Sequence, residues 1–215
     1  MFLLNNELFF PPVDTADEDG LLAIGGDLST ERLLLAYRSG IFPWFNEEEP
    51  ICWWSPDPRF VLYPTELKVS NSMKTVLQNG KYRFTTNRAF DQVIQNCQAI
   101  SRHGQDGTWI SPAMQKAYII LHELGHAHSA ETWQDGELIG GVYGIRMGNL
   151  FFGESMFSLK PNASKFAFIN YTRLLQQENV QLIDCQLHTN HLKSLGARMI
   201  PRELFIQMLV TNTGR

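Results

Sequence analysis

The chain has only three cysteines in 215 residues, Cys52, Cys97 and Cys185, and no C-x-x-C pair. An odd, widely spaced set argues against a disulfide framework and reads as reduced thiols in a cytosolic protein. Long hydrophobic runs are missing too: no segment approaches the roughly 18 apolar residues of a membrane span. The opening Met1-Phe2-Leu3-Leu4-Asn5-Asn6-Glu7 lacks the basic stretch and long apolar core of a secretory signal, so a cytoplasmic location is expected. Internal repeats and low-complexity tracts are absent. Positive charge is in short supply: 18 Lys and Arg against 22 Asp and Glu give a net charge of −4. That argues against a protein that coats nucleic acid through a uniformly basic surface.

What is present is enough for a packed core. Apolar residues make up 44% and charged residues 19%, the balance of a folded domain, with room for one small appended unit. The charge is unevenly spread. Residues 1–57 carry eleven acidic and two basic side chains, a balance of −9. Residues 59–88 carry six basic side chains (Arg59, Lys68, Lys74, Lys81, Arg83, Arg88) and one acidic, Glu66, a balance of +5. Residues 89–215 balance to zero. A local basic strip in an acidic protein suits one polyanion held at one place; it also suits a solvated face.

The first sixty residues read as loop-rich. Ser29 is a plausible N-cap for a helix over 29–38, and Gly40 is a natural stop. Three tryptophans and several prolines within residues 42–59 predict a rigid aromatic loop, poor as helix or strand. From Phe60 the texture changes. Residues 60–63 and 82–86 read as strands, and 88–102 as an amphipathic helix. Ser111-Pro112 opens a second helix that Gly125 ends. Strands at 128–133 and 138–145 are joined by the turn Gln134-Asp135-Gly136-Glu137, and a third covers 150–157. A helix over 162–178, a strand over 181–187, a short helix at 191–195 and a last helix or turn at 201–209 follow. Helices, then a meander, then helix–strand–helix give an α+β fold with a mixed sheet. The expected division is a loop-rich N-terminal domain, 1–60, and a larger domain, 61–215.

Five features carry chemistry. His122-Glu123-Leu124-Gly125-His126 matches the zinc-binding H-E-x-x-H pattern, which needs both histidines on one helical turn. Gly125 suggests the helix ends between them. Cys185 is a candidate nucleophile with His188 or His191 as base, or an inert buried thiol. Asp184 and Gln186 share one face of an apolar strand, where burial is costly unless they pair or face a cleft. Glu154 lies in Phe151-Phe152-Gly153-Glu154-Ser155-Met156-Phe157. Alternation there groups Phe152, Glu154 and Met156, and a bulge at Gly153 would change the grouping. Trp44, Trp53 and Trp54 precede the basic strip and suit a single-stranded RNA end or a hydrophobic plug.

The combination resembles the leucyl/phenylalanyl-tRNA–protein transferase family. The matching segments include Gly25-Gly26-Asp27-Leu28, Gly40 to Phe45, Trp53-Trp54-Ser55-Pro56-Asp57-Pro58-Arg59, Gly107-Thr108-Trp109-Ile110, His122 to Ser129 and Gly140-Gly141. They continue with Phe151 to Ser158, Asn162-Ala163-Ser164-Lys165, Leu182-Ile183-Asp184-Cys185-Gln186 and Ser194-Leu195-Gly196-Ala197. They span about residues 20–205 and account for the H-E-x-x-H without zinc.

The resemblance implies transfer of Leu or Phe, less well Met, from aminoacyl-tRNA to a protein N-terminal Arg or Lys, marking it for N-degron degradation. It implies a GNAT-like larger domain without acetyl-CoA, no metal and no cofactor, and a monomer. It assigns Asp184 and Gln186 to catalysis, and Val142, Phe151, Met156, Tyr171 and Ile183 to the aminoacyl pocket. Tyr37, Trp44 and Trp109 go to the terminal adenosine, and Glu154 with Asp184 to the cationic acceptor. Lys68, Lys74, Lys81 and Arg83 are expected on the tRNA backbone.

Overall fold

A computed structural model describes residues 2–99 and 110–212. The N-terminal part holds a small sheet, contrary to the loop expected there. Its strands are β1 (Phe2–Leu4), β2 (Leu21–Gly25), β3 (Phe42–Pro43) and β4 (Cys52–Trp54), in the order β1-β2-β4-β3. The prolines are tolerated because Pro43 lies on a two-residue edge strand. Alternation along β4 buries Trp53 completely and leaves Trp54 partly exposed. Trp53 donates its indole N–H to Gly25 O at 2.9 Å, so this tryptophan is the plug. Helix α1 (Thr30–Arg38) is capped by Ser29 and followed by Gly40 at φ +74°.

The large sheet comprises β5 (Arg59–Leu62), β6 (Arg83–Thr86), β7 (Ala127–Gln134), β8 (Glu137–Met147), β9 (Leu150–Ser158), β10 (Leu182–Gln186) and β11 (Arg198–Ile200). Their order is β11-β5-β10-β9-β8-β7-β6. All neighbours run antiparallel except β9 and β10, so the sheet is mixed and the fold α+β, as expected. The hairpin β7–β8 turns at Asp135 and Gly136, both at positive φ, the chemistry a tight two-residue turn demands.

Helices cover both faces. Helices α3 (Phe90–Ala99), α4 (Pro112–Glu123) and α7 (Arg202–Asn212) join the small sheet in one apolar cluster with Tyr143, Phe152 and Leu182. Helices α2 (Asn71–Gln78) and α5 (Ala163–Gln177) build a second cluster with Val142, Phe151 and Ile183. Helix α5 lies close on the sheet because Gly140 has no side chain: a Cβ there would sit 2.6 Å from Ala163 Cβ. Helix α6 (Asn190–Ser194) follows β10. Among the described residues no helix is long and apolar enough to cross a membrane.

Candidate active site

Strands β9 and β10 are in parallel register for three pairs, ending at Phe152 opposite Asp184. Beyond that point they part. The gap is a cleft of about 640 Å³, walled by residues from Phe42–Trp44, Gly153–Ser158 and Cys185–Leu192, with Val142, Ser164, Phe168 and Ile183 completing it.

Irregularities in β9 and β10 aim the polar side chains. In the β8–β9 ladder Tyr143 faces Ser155 and Gly144 faces Gly153, so Glu154 is an extra residue in a bulge. The bulge overrides simple alternation: Phe152 and Phe157 join the first cluster while Met156 packs against the second. Glu154 does not share Met156's face. In the β10–β5 ladder Asp184 faces Val61 and Gln186 faces Phe60, leaving Cys185 as the extra residue. Gln186 has φ +61°.

Glu154 is the centre of a hydrogen-bonded chain. Gln186 Nε2 donates to its Oε1 at 2.9 Å, and the Tyr118 hydroxyl donates to its Oε2 at 3.0 Å. Tyr118 in turn shares a short hydrogen bond with the Tyr37 hydroxyl. Burial pushes the Glu154 carboxyl up to about 7; hydrogen bonds from the two tyrosines and Gln186 oppose that rise, and the Asp184 charge adds to it. Burial, and then the Glu154 charge, hold both tyrosines well above the usual phenol range, so they remain protonated donors.

Asp184 has no exposed surface. Arg59 Nε donates to its Oδ1 at 2.9 Å and Arg59 Nη2 to its Oδ2 at 2.7 Å. The Gln186 backbone N–H also donates to Oδ1, at 2.9 Å. Asp184 therefore reaches the cleft through Gln186, not directly. Arg59 belongs to the sequence's basic strip, yet it is fully buried. The strip's exposed charge comes from Lys68, Lys74, Lys81, Arg83 and Arg88.

The cleft gathers Trp44, Val142, Glu154, Met156, Ile183 and Gln186 of the expected site. Phe151 and Tyr171 form an edge-to-face pair, centroids 5.1 Å apart, in the buried cluster that contains Val142 and Ile183. Trp44 packs edge-on against Trp54, whose indole N–H bonds the Trp44 carbonyl at 2.7 Å. Tyr37 is buried at the far end of the hydrogen-bonded chain and is not a wall of the cleft. Trp109 lies outside the described residues. Lys81 and Arg83 border a second hollow with Trp133, which shares no lining residue with the cleft.

Two sequence motifs resolve differently. Helix α4 ends at Glu123, and Gly125 takes φ +81°, so His122 and His126 do not share a helical turn. The His122 ring stacks on Phe90 at 4.2 Å, and its Nδ1 lies 2.8 Å from Ala127 O. Among the described residues no three His, Cys, Asp or Glu side chains cluster as a metal would require. Burial, then the Asp184 charge, drive the Cys185 thiol far above the range in which a thiolate forms.

Sequence reasoning misses Tyr118 as a donor to Glu154. It also misses the Arg59 partner of Asp184, and Phe168 in the cleft wall. His191 Nε2 is buried in the same wall without a hydrogen-bond partner among the described residues, and burial with nearby Lys165 lowers its pKa.

The profile of the family described as leucyl/phenylalanyl-tRNA protein transferase matches residues 61–210, and that of its N-terminal domain matches 26–57. A protein of that name from Flavobacterium johnsoniae is 57% identical over 209 residues, 97% of this chain and 99% of its own length. One from Syntrophobacter fumaroxidans is 54% identical over 212 residues, 99% of this chain and 91% of its own. A solved GCN5-related N-acetyltransferase from Kribbella flavida is similar at TM-score 0.40 and 9% identity, over 79% of this chain and 59% of that one. The chain belongs to the leucyl/phenylalanyl-tRNA–protein transferase family.

Proposed function

We propose that this member of the family moves Leu or Phe, and less well Met, from aminoacyl-tRNA to the N-terminal Arg or Lys of an acceptor protein. The product is marked for degradation by an N-degron route. It acts as a monomer in the cytoplasm, where charged tRNA is made. The observation that carries this reading is the hydrogen bond between Gln186 and the buried Glu154 in the lining of a cleft with an apolar wall. One end is acidic and takes a cationic N-terminus. The other, formed by Val142, Met156 and Ile183 and backed by Phe151 and Tyr171, takes an uncharged side chain.

The reaction is ester aminolysis. The acceptor α-amine attacks the ester carbonyl on the tRNA 3′-ribose; a C–N bond forms, the C–O bond breaks, and the ribose oxygen leaves with a proton. The ester is already activated, so ATP has no part to play. The amine must shed a proton to attack, and a carboxylate with a pKa of about 7 suits that task. Gln186 contacts the amine and Asp184 fixes Gln186. A relay through the tRNA ribose hydroxyl uses the same residues. Trp44, with Trp109, flanks the terminal adenine, and Tyr37 supports the site from behind. Lys68, Lys74, Lys81 and Arg83 meet the acceptor stem.

The test supplies Leu-tRNA and a peptide beginning with Arg, with no ATP and a chelator present. Leucine should appear on the peptide. Tight RNA binding without transfer would instead make the chain an RNA-end binding module.

A further inference from the structure

The segment Trp53–Arg59 ends in an arginine that transfer chemistry leaves without a task. Arg59 opens β5 and has no solvent exposure. Its guanidinium carbon lies 4.7 Å from the ring centroids of both Phe42 and Phe205. Phe42 comes from β3, next to the cleft residues Pro43 and Trp44; Phe205 comes from α7. The planar fork takes both oxygens of Asp184. A buried ion pair adds little stability over an apolar pair of the same shape, so stability alone does not account for it. What the pair does add is direction. A carboxylate gripped at both oxygens cannot rotate, and Asp184 Oδ1 is thereby held where the Gln186 N–H needs it.

That bond sits where the strand is strained. Gln186 takes φ +61°, a left-handed conformation unfavourable for a residue with a side chain. The left-handed turn ends β10, and from there the Gln186 amide reaches Glu154. We propose that Arg59 is a positioning residue for transfer: by fixing both oxygens of Asp184 it holds Gln186 in its left-handed conformation and keeps the Gln186 amide on Glu154. The inference rests on the proposed function for what Gln186 does, and on geometry alone for what Arg59 does. Through Phe42, the wall that carries Trp44 and the strand that carries Gln186 share one anchor.

Arg59→Lys keeps the charge and loses the fork. The expected result is a kcat lower by about tenfold or more with a KM for aminoacyl-tRNA within about twofold. In a Gln186→Ala background the same substitution should cost less than about twofold further, because Arg59 acts through Gln186. A full loss in both backgrounds would overturn the proposal. A second readout needs no activity. Backbone amide exchange at Gln186 should accelerate by about tenfold in Arg59→Lys while Leu182 in the same strand keeps its protection. Unchanged exchange at Gln186 would equally overturn it. Arg59→Gln, which keeps an amide donor of similar reach but cannot grip both Asp184 oxygens, serves both readouts if Arg59→Lys does not fold. A wild-type enzyme that transfers neither Leu nor Phe removes the proposed activity, while the exchange result still decides the role of Arg59.

Discussion

Gln186 donates its side-chain amide to Glu154 at 2.9 Å across two strands whose own ladder has already ended. A side-chain bond thus bridges the parting of β9 and β10. It also leaves Glu154 fully engaged, with Tyr118 on the other oxygen, in a site that raises its pKa to about 7. The carboxyl is poised between two protonation states at neutral pH, and its neighbours can be used to move that balance.

The pH dependence of kcat should show a rising limb with an apparent pKa of about 7. Glu154→Gln should lower kcat by about a hundredfold and abolish the limb. Tyr118→Phe removes a hydrogen bond that favours the ionised carboxylate, so the limb should move to higher pH. Steady-state profiles on a Leu-tRNA and Arg-peptide pair decide this; a limb that persists in Glu154→Gln belongs to another group.

Stability should respond to the same proton. The folded pKa of about 7 lies above the ordinary 4.5, so between those values the folded state keeps a proton that the unfolded chain has released. The resulting stabilisation is complete below about pH 4.5 and is lost as pH rises through about 7. From about pH 5 to pH 8 the wild type should therefore lose several degrees of Tm relative to Glu154→Gln, on the order of a few kcal/mol. Parallel melting curves of the two proteins would show Glu154 ionising normally.

Trp44→Ala should raise the KM for aminoacyl-tRNA by about tenfold and change kcat less. The side chain lines the cleft, and its ring is steadied edge-on by Trp54. An unchanged KM would make Trp44 a packing residue.

Removing one exposed cation at a time, Lys68, Lys74, Lys81 or Arg83, should weaken tRNA binding. Each phosphate that such a variant no longer neutralises should reduce the slope of log K against log salt by about one unit. Binding titrations at several salt concentrations report this directly. A slope that does not change in any of the four variants would place the acceptor stem elsewhere.

Much of the fold is legible because it is locally encoded. Ser29 and Ser111 mark helix starts by accepting backbone N–H bonds, and Asp135-Gly136 marks the hairpin. Strand alternation already puts Asp184 and Gln186 on one side and Cys185 on the other. The structure departs from that pattern: with Cys185 as an extra residue, Asp184 pairs with Val61 of the first cluster and Gln186 with Phe60 of the second, and Cys185 and Gln186 both line the cleft. The short strands of the small sheet are not legible, since two or three residues carry no period. Nor is the bulge at Glu154, which depends on how β8 pairs. Arg59 and Asp184 are 125 residues apart, and no local pattern announces that one will neutralise the other. For that reason the sequence alone groups Arg59 with the solvent-facing basic strip.

Strand β5 lies between β10 and β11, which come from residues 182–200. On the ribosome, Phe60, Val61 and Leu62 are therefore made long before the strands that cover them. At about 5–20 residues per second, the wait from residue 62 to residue 182 is roughly 6–24 s. Through that interval a bare apolar strand, later buried on both faces, must avoid misplaced partners. The segment that seats Arg59 beside Asp184 is thus one of the first translated and one of the last to be sealed.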